Sequence, residues 1–367
     1  MNLFRPAGDG PFPVLLSAHP YGKDALPKRR GNGWSLSPQF RIMNQPAPLR
    51  ISDQTSWEAP DPVRWARQGF AVINLDTRGG GHSEGRGDLL SDQEADDIAQ
   101  VIGWAAEQPW STGRVAMLGV SYLALSQYKV AALGPPALMA ICPWEGFTDA
   151  YRDFLTPGGV VEDGFARVWL FATGRAARLR TDLAVERRKH PLRDASWESL
   201  TPSLSRIAVP ILVCTSFSDS NLHSIGSLRA FQRVGSAERR AYVHRGPKWA
   251  SLYGEEAFQA QLTFFDRHLR ELDPALNTPH QPEHTFRTLQ PVADGEEVEV
   301  YIPLSSSATL FHAGEQLRLI VAGRNLRPRN PFFGHFPAHY QPTKSGKATI
   351  FWAPGRASTL EIPVIPQ

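Results

Sequence analysis

Six short runs dominated by apolar residues recur through the first two thirds of the 367-residue chain, and segments of helical period lie between or after them. The runs are Phe12 to Ala18, Phe70 to Leu75, Arg114 to Leu118, Leu138 to Cys142, Val209 to Thr215 and Ala241 to His244. The helical stretches are Pro62 to Gln68, Ser91 to Glu107, Tyr122 to Ala132, Leu222 to Val234 and Glu255 to Leu272. Strands that are apolar throughout, rather than on alternate residues, need cover on both faces, and helices between them supply it. The pattern predicts a parallel α/β sheet, with any ligand gathered at the carboxyl ends of its strands.

Two segments depart from this rhythm. Residues 151–205 carry aromatic and Arg-rich helical stretches without a good strand, which reads as an inserted helical cap. After the linker-like TPHQPEHTF, the stretches EEVEVYIPL, EQLRLIVAG, KATIFWAPG and STLEIPVIP alternate polar with apolar residues, the period of half-exposed antiparallel strands. The expected division is a core over 1–150, a cap over 151–205, the rest of the core over 206–275 and a small β-sandwich over 276–367.

Several function classes are excluded by composition. Lys plus Arg is 39 against 36 Asp plus Glu, a net charge of +3, and the basic residues are scattered, so nucleic acid is not an expected partner. The densest basic run, Arg175 to Lys189, reads as a solvated helix face. There is no apolar run long enough to span a membrane, and MNLFRPAGDGPFPVLLS lacks the basic and apolar regions of a signal peptide, so a cytoplasmic location is expected. Cys142 and Cys214 end apolar runs, as buried free thiols do. Neither a metal nor an organic cofactor is called for.

Chemistry concentrates at VAMLGVSYLALSQYKVAAL, Val115 to Leu133, where a strand meets Gly119, Ser121 and a helix. A nucleophile elbow asks for G-x-S-x-G, and Leu123 holds the place of the last Gly. Ser121 is therefore read either as a nucleophile on a strand-to-helix turn or as a helix cap. A serine nucleophile needs a base, an orienting carboxylate and an oxyanion hole, supplied in such sheets in the order Ser, acid, His. Asp219, after VPILVCTSF, is the expected acid, with Asp149 as fallback. Three histidines fit the order: His223, His244 and His268. His244 ends RAYVH before a Gly-Pro loop and is the expected base; His223, four residues past Asp219, is the alternative base or a site-lining residue; His268 lies within LTFFDRHLR and is expected at the surface. The N–H of Tyr122 and the phenol of Tyr21, in PVLLSAHPYGKDA, are the candidate oxyanion donors.

These residues resemble the cocaine-esterase-like and X-Pro dipeptidyl-peptidase group of acyl hydrolases, the S15 family. The matching stretches are HPYGKD (19–24), LDTRGGGHSEG (75–85), QPWSTGRVAMLGVSYLALSQ (108–127), PWEGFTDAYRD (143–153), SFSDSNLHSIGSLRAF (216–231) and FFDRHLR (264–270). The resemblance implies an α/β-hydrolase core, a helical cap, a C-terminal jelly-roll domain, and a Ser-His-Asp mechanism with a tyrosine hydroxyl in the oxyanion hole. It assigns Ser121 as nucleophile, Tyr122 as backbone donor, Tyr21 as hydroxyl donor and Asp219 as acid. The family motif reads G-x-S-Y-x-G, so the departure falls at Ala124 rather than Leu123. Its usual Gly-Pro-Trp-x-His is here GPKWA, with Ala250 in the histidine's place; His244 resembles a variant of one branch. The leading hairpin and the first jelly-roll strands are expected to be short or missing.

The expected function is cleavage of a small ester or amide through an acyl-enzyme. Trp144, Phe147, Phe165 and Trp169 read as an apolar acyl site or as cap core. The alternatives are X-Pro dipeptidyl-peptidase action, for which Glu145, Asp149 and Glu162 show no recognisable amine-binding spacing, and a catalytically impaired binding or assembly module. A homo-oligomer that covers exposed strands is a further expectation.

Overall fold

The computed structural model describes residues 1–30, 33–35, 49–216 and 222–270. Asp219 and the β-sandwich expected over 276–367 lie outside the described residues. Among the described residues nine strands follow one another: β1 (Asn2–Phe4), β2 (Phe12–His19), β3 (Lys28–Arg30), β4 (Gly33–Ser35), β5 (Ala71–Asp76), β6 (Ser111–Val120), β7 (Leu138–Trp144), β8 (Ile211–Ser216) and β9 (Arg239–His244). Strands β3 and β4 form a separate two-stranded ribbon; the other seven make one sheet in the order β1-β5-β2-β6-β7-β8-β9. From β5 to β9 every pairing is parallel, as the apolar runs predict, but β1 lies antiparallel on β5, with Asn2 opposite Asn74. The sheet is thus mixed, because Asn2–Phe4 covers the edge that β5 would otherwise expose.

Side chains alternate across this sheet and fill two cores. Val14, Leu16, Ala18, Val115 and Met117 point to one side, where they meet Ala95, Ile98 and Ile102 of helix α2 (Asp92–Ala106), and Tyr128 and Ala131 of α3 (Tyr122–Leu133). Leu15, Val72, Ala116 and Leu118 point to the other. There they meet Trp65 of α1 (Pro62–Arg67) and, at the end of the described chain, Phe258, Phe264 and Phe265 of a long helix over Glu255–Arg270. His268, expected at the surface, lies on this second layer instead: it is four residues after Phe264, on the same helix stripe, with ring centroids 4.7 Å apart.

A third apolar cluster explains why every residue of α3 from Tyr122 to Ala131 is buried. Over residues 150–206 the chain is helical: a π-helical turn at Ala150–Leu155, then α4 (Phe165–Ala176), α5 (Leu183–Lys189) and α6 (Ala195–Ser199). Phe154, Leu155, Leu183 and Trp197 from this segment pack on Tyr122, Leu123 and Leu125, so α3 has the sheet beneath it and these helices above. Among the described residues no helix is long and apolar enough to cross a membrane.

A buried ion pair ties the segment down. Asp153 accepts the N–H groups of Thr148 and Asp149 and both terminal nitrogens of Arg229, at 2.8–3.1 Å; Arg229 lies on α7 (Ser224–Arg233). Removing one partner of such a pair leaves an uncompensated buried charge. Arg229→Ala is expected to lower the free energy of chemical unfolding by about 3–5 kcal/mol; a loss near zero would show that water reaches Asp153.

Candidate active site

Strand β6 runs directly into α3, and Ser121 is the residue at the corner. Its φ of 60° and ψ of −120° are strained for a residue with a side chain, and the surroundings hold it there. The Ser121 N–H donates to the carbonyls of Trp144 (3.0 Å) and Glu145 (3.2 Å), while its own carbonyl accepts from the N–H groups of Ala124 (2.9 Å) and Leu125 (3.1 Å). A Cβ on Gly119 would lie 2.5 Å from the Cβ of Leu123, so the close return of α3 over β6 requires glycine. At the departure from the family motif, Ala124 faces Gly146, where a Cβ would lie 2.7 Å from its methyl. The bare α-carbon needed for close approach is therefore on the partner segment.

The Ser121 hydroxyl makes no capping bond to α3. Its neighbour is His223, whose Nε2 lies 3.3 Å from Oγ. This imidazole is buried at the N-terminus of α7, stacked on Phe147 with the rings 9° apart. His244, the histidine expected beside Ser121, is elsewhere. Its Nε2 is 2.8 Å from Glu145 Oε1, its Nδ1 is 3.2 Å from the Gly246 carbonyl, and its ring stacks on Trp144. Strand β9 pairs His244 with Ser216 at the sheet edge, which leaves the ring against the strand ends rather than over α3. Asp149, the fallback acid, caps the π-helical turn and accepts from Arg193 at 2.9 Å.

Lys248, on α8 (Lys248–Leu252), connects the two histidines. Its Nζ is 2.9 Å from His223 Nδ1 and 3.8 Å from Glu145 Oε2. Glu145 is fully buried and held at a φ of 49°. The buried row is thus Ser121, His223, Lys248, Glu145, His244. Glu145, His244 and the Cys214 thiol place one donor atom each within 4.8 Å of one another, the set among the described residues with metal-ligand character. Ligation needs a thiolate, and burial, then the Glu145 carboxylate, push the Cys214 thiol well up. Without an ion the thiol is therefore neutral, and Glu145 and His244 stand beside Lys248 as its support.

On the other side of Ser121, Tyr21 supplies a hydroxyl. Burial, followed by the Glu58 carboxylate, pushes its phenol well above the ordinary value, so it keeps its proton, and the Trp169 and Ser121 side chains adjoin its oxygen. The Tyr122 N–H opens α3, among the amides that a helix leaves without an internal partner. The Tyr122 hydroxyl points away from Ser121, accepting from the Leu90 N–H (2.9 Å) and donating to Glu94 (2.7 Å).

Four contributors were not visible in sequence: Lys248, Glu145 as a partner of both Lys248 and His244, Glu58, and the indole N–H of Trp169, which donates to the Tyr21 oxygen at 3.0 Å. The signal for Glu145 and Lys248 was composition: PWEG and GPKWA each place a charged residue inside an otherwise apolar or turn-forming stretch at a strand end.

Glu94 makes the site's support sensitive to pH. Burial pushes its carboxyl up to about 7 from 4.5, against the pull of the Tyr122 and Leu90 hydrogen bonds. The folded protein therefore keeps a proton that the unfolded chain releases, and stability falls as pH rises through that window and is level above it. The full effect is about 3 kcal/mol. Glu94→Gln is expected to remove most of the difference in unfolding free energy between about pH 5 and about pH 8; a variant as pH-dependent as the wild type would place the titration elsewhere.

Comparison with known proteins places this arrangement. A sequence profile described as X-Pro dipeptidyl-peptidase (S15 family) matches residues 1–247. The chain is 28% identical to the cocaine esterase of Rhodococcus sp. (strain MB1 Bresler), over 88% of this chain and 63% of that protein. A crystal structure of a CocE/NonD family hydrolase from Staphylococcus aureus is 37% identical with a TM-score of 0.67, covering 74% of this chain and 48% of that one. An aminopeptidase from the marine-sediment archaeon Thaumarchaeota archaeon, 15% identical, shares the fold with a TM-score of 0.53 over 76% of this chain and 53% of its own. The fold is α/β-hydrolase-like with a mixed sheet, and the chain spans 63% of the cocaine esterase and 48% of the staphylococcal structure.

Proposed function

Because the chain belongs to the X-Pro dipeptidyl-peptidase (S15) family, we propose that it is a serine hydrolase that cleaves carboxylic esters through an acyl-enzyme on Ser121. One observation carries the reading: a serine held at positive φ on a strand-to-helix turn, with its hydroxyl uncapped and 3.3 Å from a buried histidine. In the proposed reaction Ser121 Oγ attacks the ester carbon and its proton passes to His223 Nε2. The oxygen that gains negative charge receives the Tyr122 N–H and the Tyr21 O–H. The alkoxide leaves with the proton from His223, and water repeats the sequence to release the acid. We retain Asp219 as the acid that orients the imidazolium, replace His244 by His223 as base, and keep residues 276–367 as a jelly-roll β domain.

Lys248 sets a condition on this chemistry. For Nε2 to accept a proton, Nδ1 must already carry one. An ammonium at Lys248 donates to Nδ1 and leaves Nε2 protonated toward Ser121, so the contact at 2.9 Å is the resting arrangement. The base forms when Lys248 loses its proton or turns to Glu145 Oε2. This contact is also what favours the second reading, an acyl-binding module without turnover.

Esters are preferred over X-Pro peptides because the acids near the cap are engaged. Glu162 accepts the N–H groups of Gly164, Phe165 and Ala166, Asp149 accepts from Arg193, and Glu145 faces His244. None of the three is set up to receive a substrate ammonium.

Ser121→Ala is expected to abolish hydrolysis of a p-nitrophenyl ester and labelling by a fluorophosphonate, with the unfolding midpoint kept. His223→Ala should lower kcat by about 10²–10⁴, and His244→Ala by less. The reverse ranking would return the base to His244; a wild-type protein that is never labelled would favour the binding module.

A further inference from the structure

A hydrogen bond joins the cap segment to Tyr21 beside Ser121. Trp169, on α4, donates its indole N–H to the Tyr21 hydroxyl oxygen at 3.0 Å. We infer that Trp169 is a positioning residue that aims the Tyr21 O–H into the oxyanion hole, and that the hole is complete only when α4 is docked. The inference rests on the proposed role of Tyr21.

The argument is one of directions. A phenol has one proton to donate and lone pairs to accept with, whereas an indole N–H can only donate. With the Trp169 N–H on its oxygen, Tyr21 cannot direct its own proton toward the indole. Ser121 is the other side chain adjoining the phenol oxygen, so that is the side left for the proton. A hydroxyl that accepts one hydrogen bond also donates a stronger one, so the contact polarises the Tyr21 O–H as well as orienting it.

Trp169 can do this because its ring is clamped. It stacks on Tyr122 with centroids 5.9 Å apart and meets the edges of Tyr21 (6.5 Å) and Phe154 (5.3 Å). The start of α4 is fixed by Glu162, whose carboxylate accepts the N–H groups of Gly164, Phe165 and Ala166 at 2.6–3.1 Å. Arg187 of α5 donates to the Glu162 carbonyl at 2.6 Å. The indole therefore bridges Tyr21 and Tyr122, the two residues assigned to the hole. An apolar wall would need the ring alone; this arrangement uses the N–H.

The test is a double-mutant cycle on the full chain with a p-nitrophenyl ester, paired with binding of phenylboronic acid, whose adduct on a serine places a tetrahedral oxygen where the oxyanion forms. Trp169→Phe, and Trp169→benzothienylalanine, which keeps the bicyclic ring and lacks only the N–H, should each lower kcat about tenfold. KM should stay nearly unchanged, and boronate affinity should fall by the same factor as kcat. In a Tyr21→Phe background the same changes should cost almost nothing. An equal loss with and without the Tyr21 hydroxyl, or full activity of the benzothienylalanine protein, would overturn the inference. If Tyr21→Phe alone leaves kcat and boronate affinity unchanged, the oxyanion assignment of Tyr21 falls first and the role of Trp169 with it.

Discussion

The turn at Ser121 is the constraint on which the site depends. A side chain held at a φ of 60° costs about 1–3 kcal/mol, and such strain persists only where neighbours over-determine the backbone. Here the Ser121 N–H is shared between two carbonyls at the end of β7, the first turn of α3 closes on its carbonyl, and Gly119 lets Leu123 fold down onto β6. Burial of α3 on both sides, by the sheet below and the cap helices above, keeps these bonds from exchanging with water. The same turn exposes the first amides of α3 beside the hydroxyl. The proposed nucleophile and one proposed oxyanion donor thus come from a single local geometry.

Behind Ser121, among the described residues, lies a buried polar row. His223 and His244 are separated by Lys248 and Glu145, and each contact changes what the next group can do. In a low-dielectric interior a partner that donates to Nδ1 decides the tautomer of the whole imidazole. In the proposed reaction the Lys248 contact at Nδ1 bears on whether His223 meets Ser121 as donor or acceptor. Glu145, without solvent and bracketed by Lys248 and His244, gives Lys248 a second place to send its charge.

The cap helices act on the other side through aromatic contacts. Tyr21, Tyr122 and Trp169 form one cluster in which a ring from β2's following loop, a ring from α3 and a ring from α4 fix one another. The consequence is that the helical segment over 150–206 does more than cover α3. Its N-terminal anchoring at Glu162 and its tie at Asp153 to Arg229 set the position of an indole N–H at the reaction centre.

Local chemistry made much of this legible from sequence. The apolar runs give the sheet because strands covered on both faces have no polar alternation, and G-V-S-Y between a strand and a helix identifies Ser121 and Tyr122 because a tight turn needs Gly119 two residues before the nucleophile. Tyr21 follows from a loop after an early strand. The choice of histidine did not follow. His223 and His244 both stand after Asp219 near strand ends, and sequence spacing does not say which ring points over α3. The register of β9 against β8 turns His244 to Glu145, and the start of α7 brings His223 to Ser121. The antiparallel β1, Lys248 against Nδ1 and the Trp169 hydrogen bond were decided the same way, by which elements pack together. By itself the sequence determined the sheet and the turn that holds Ser121, because these are set by residues adjacent along the chain. Tertiary structure alone decided the histidine beside Ser121 and the groups that surround it, because side-chain directions across 25 to 148 residues depend on packing.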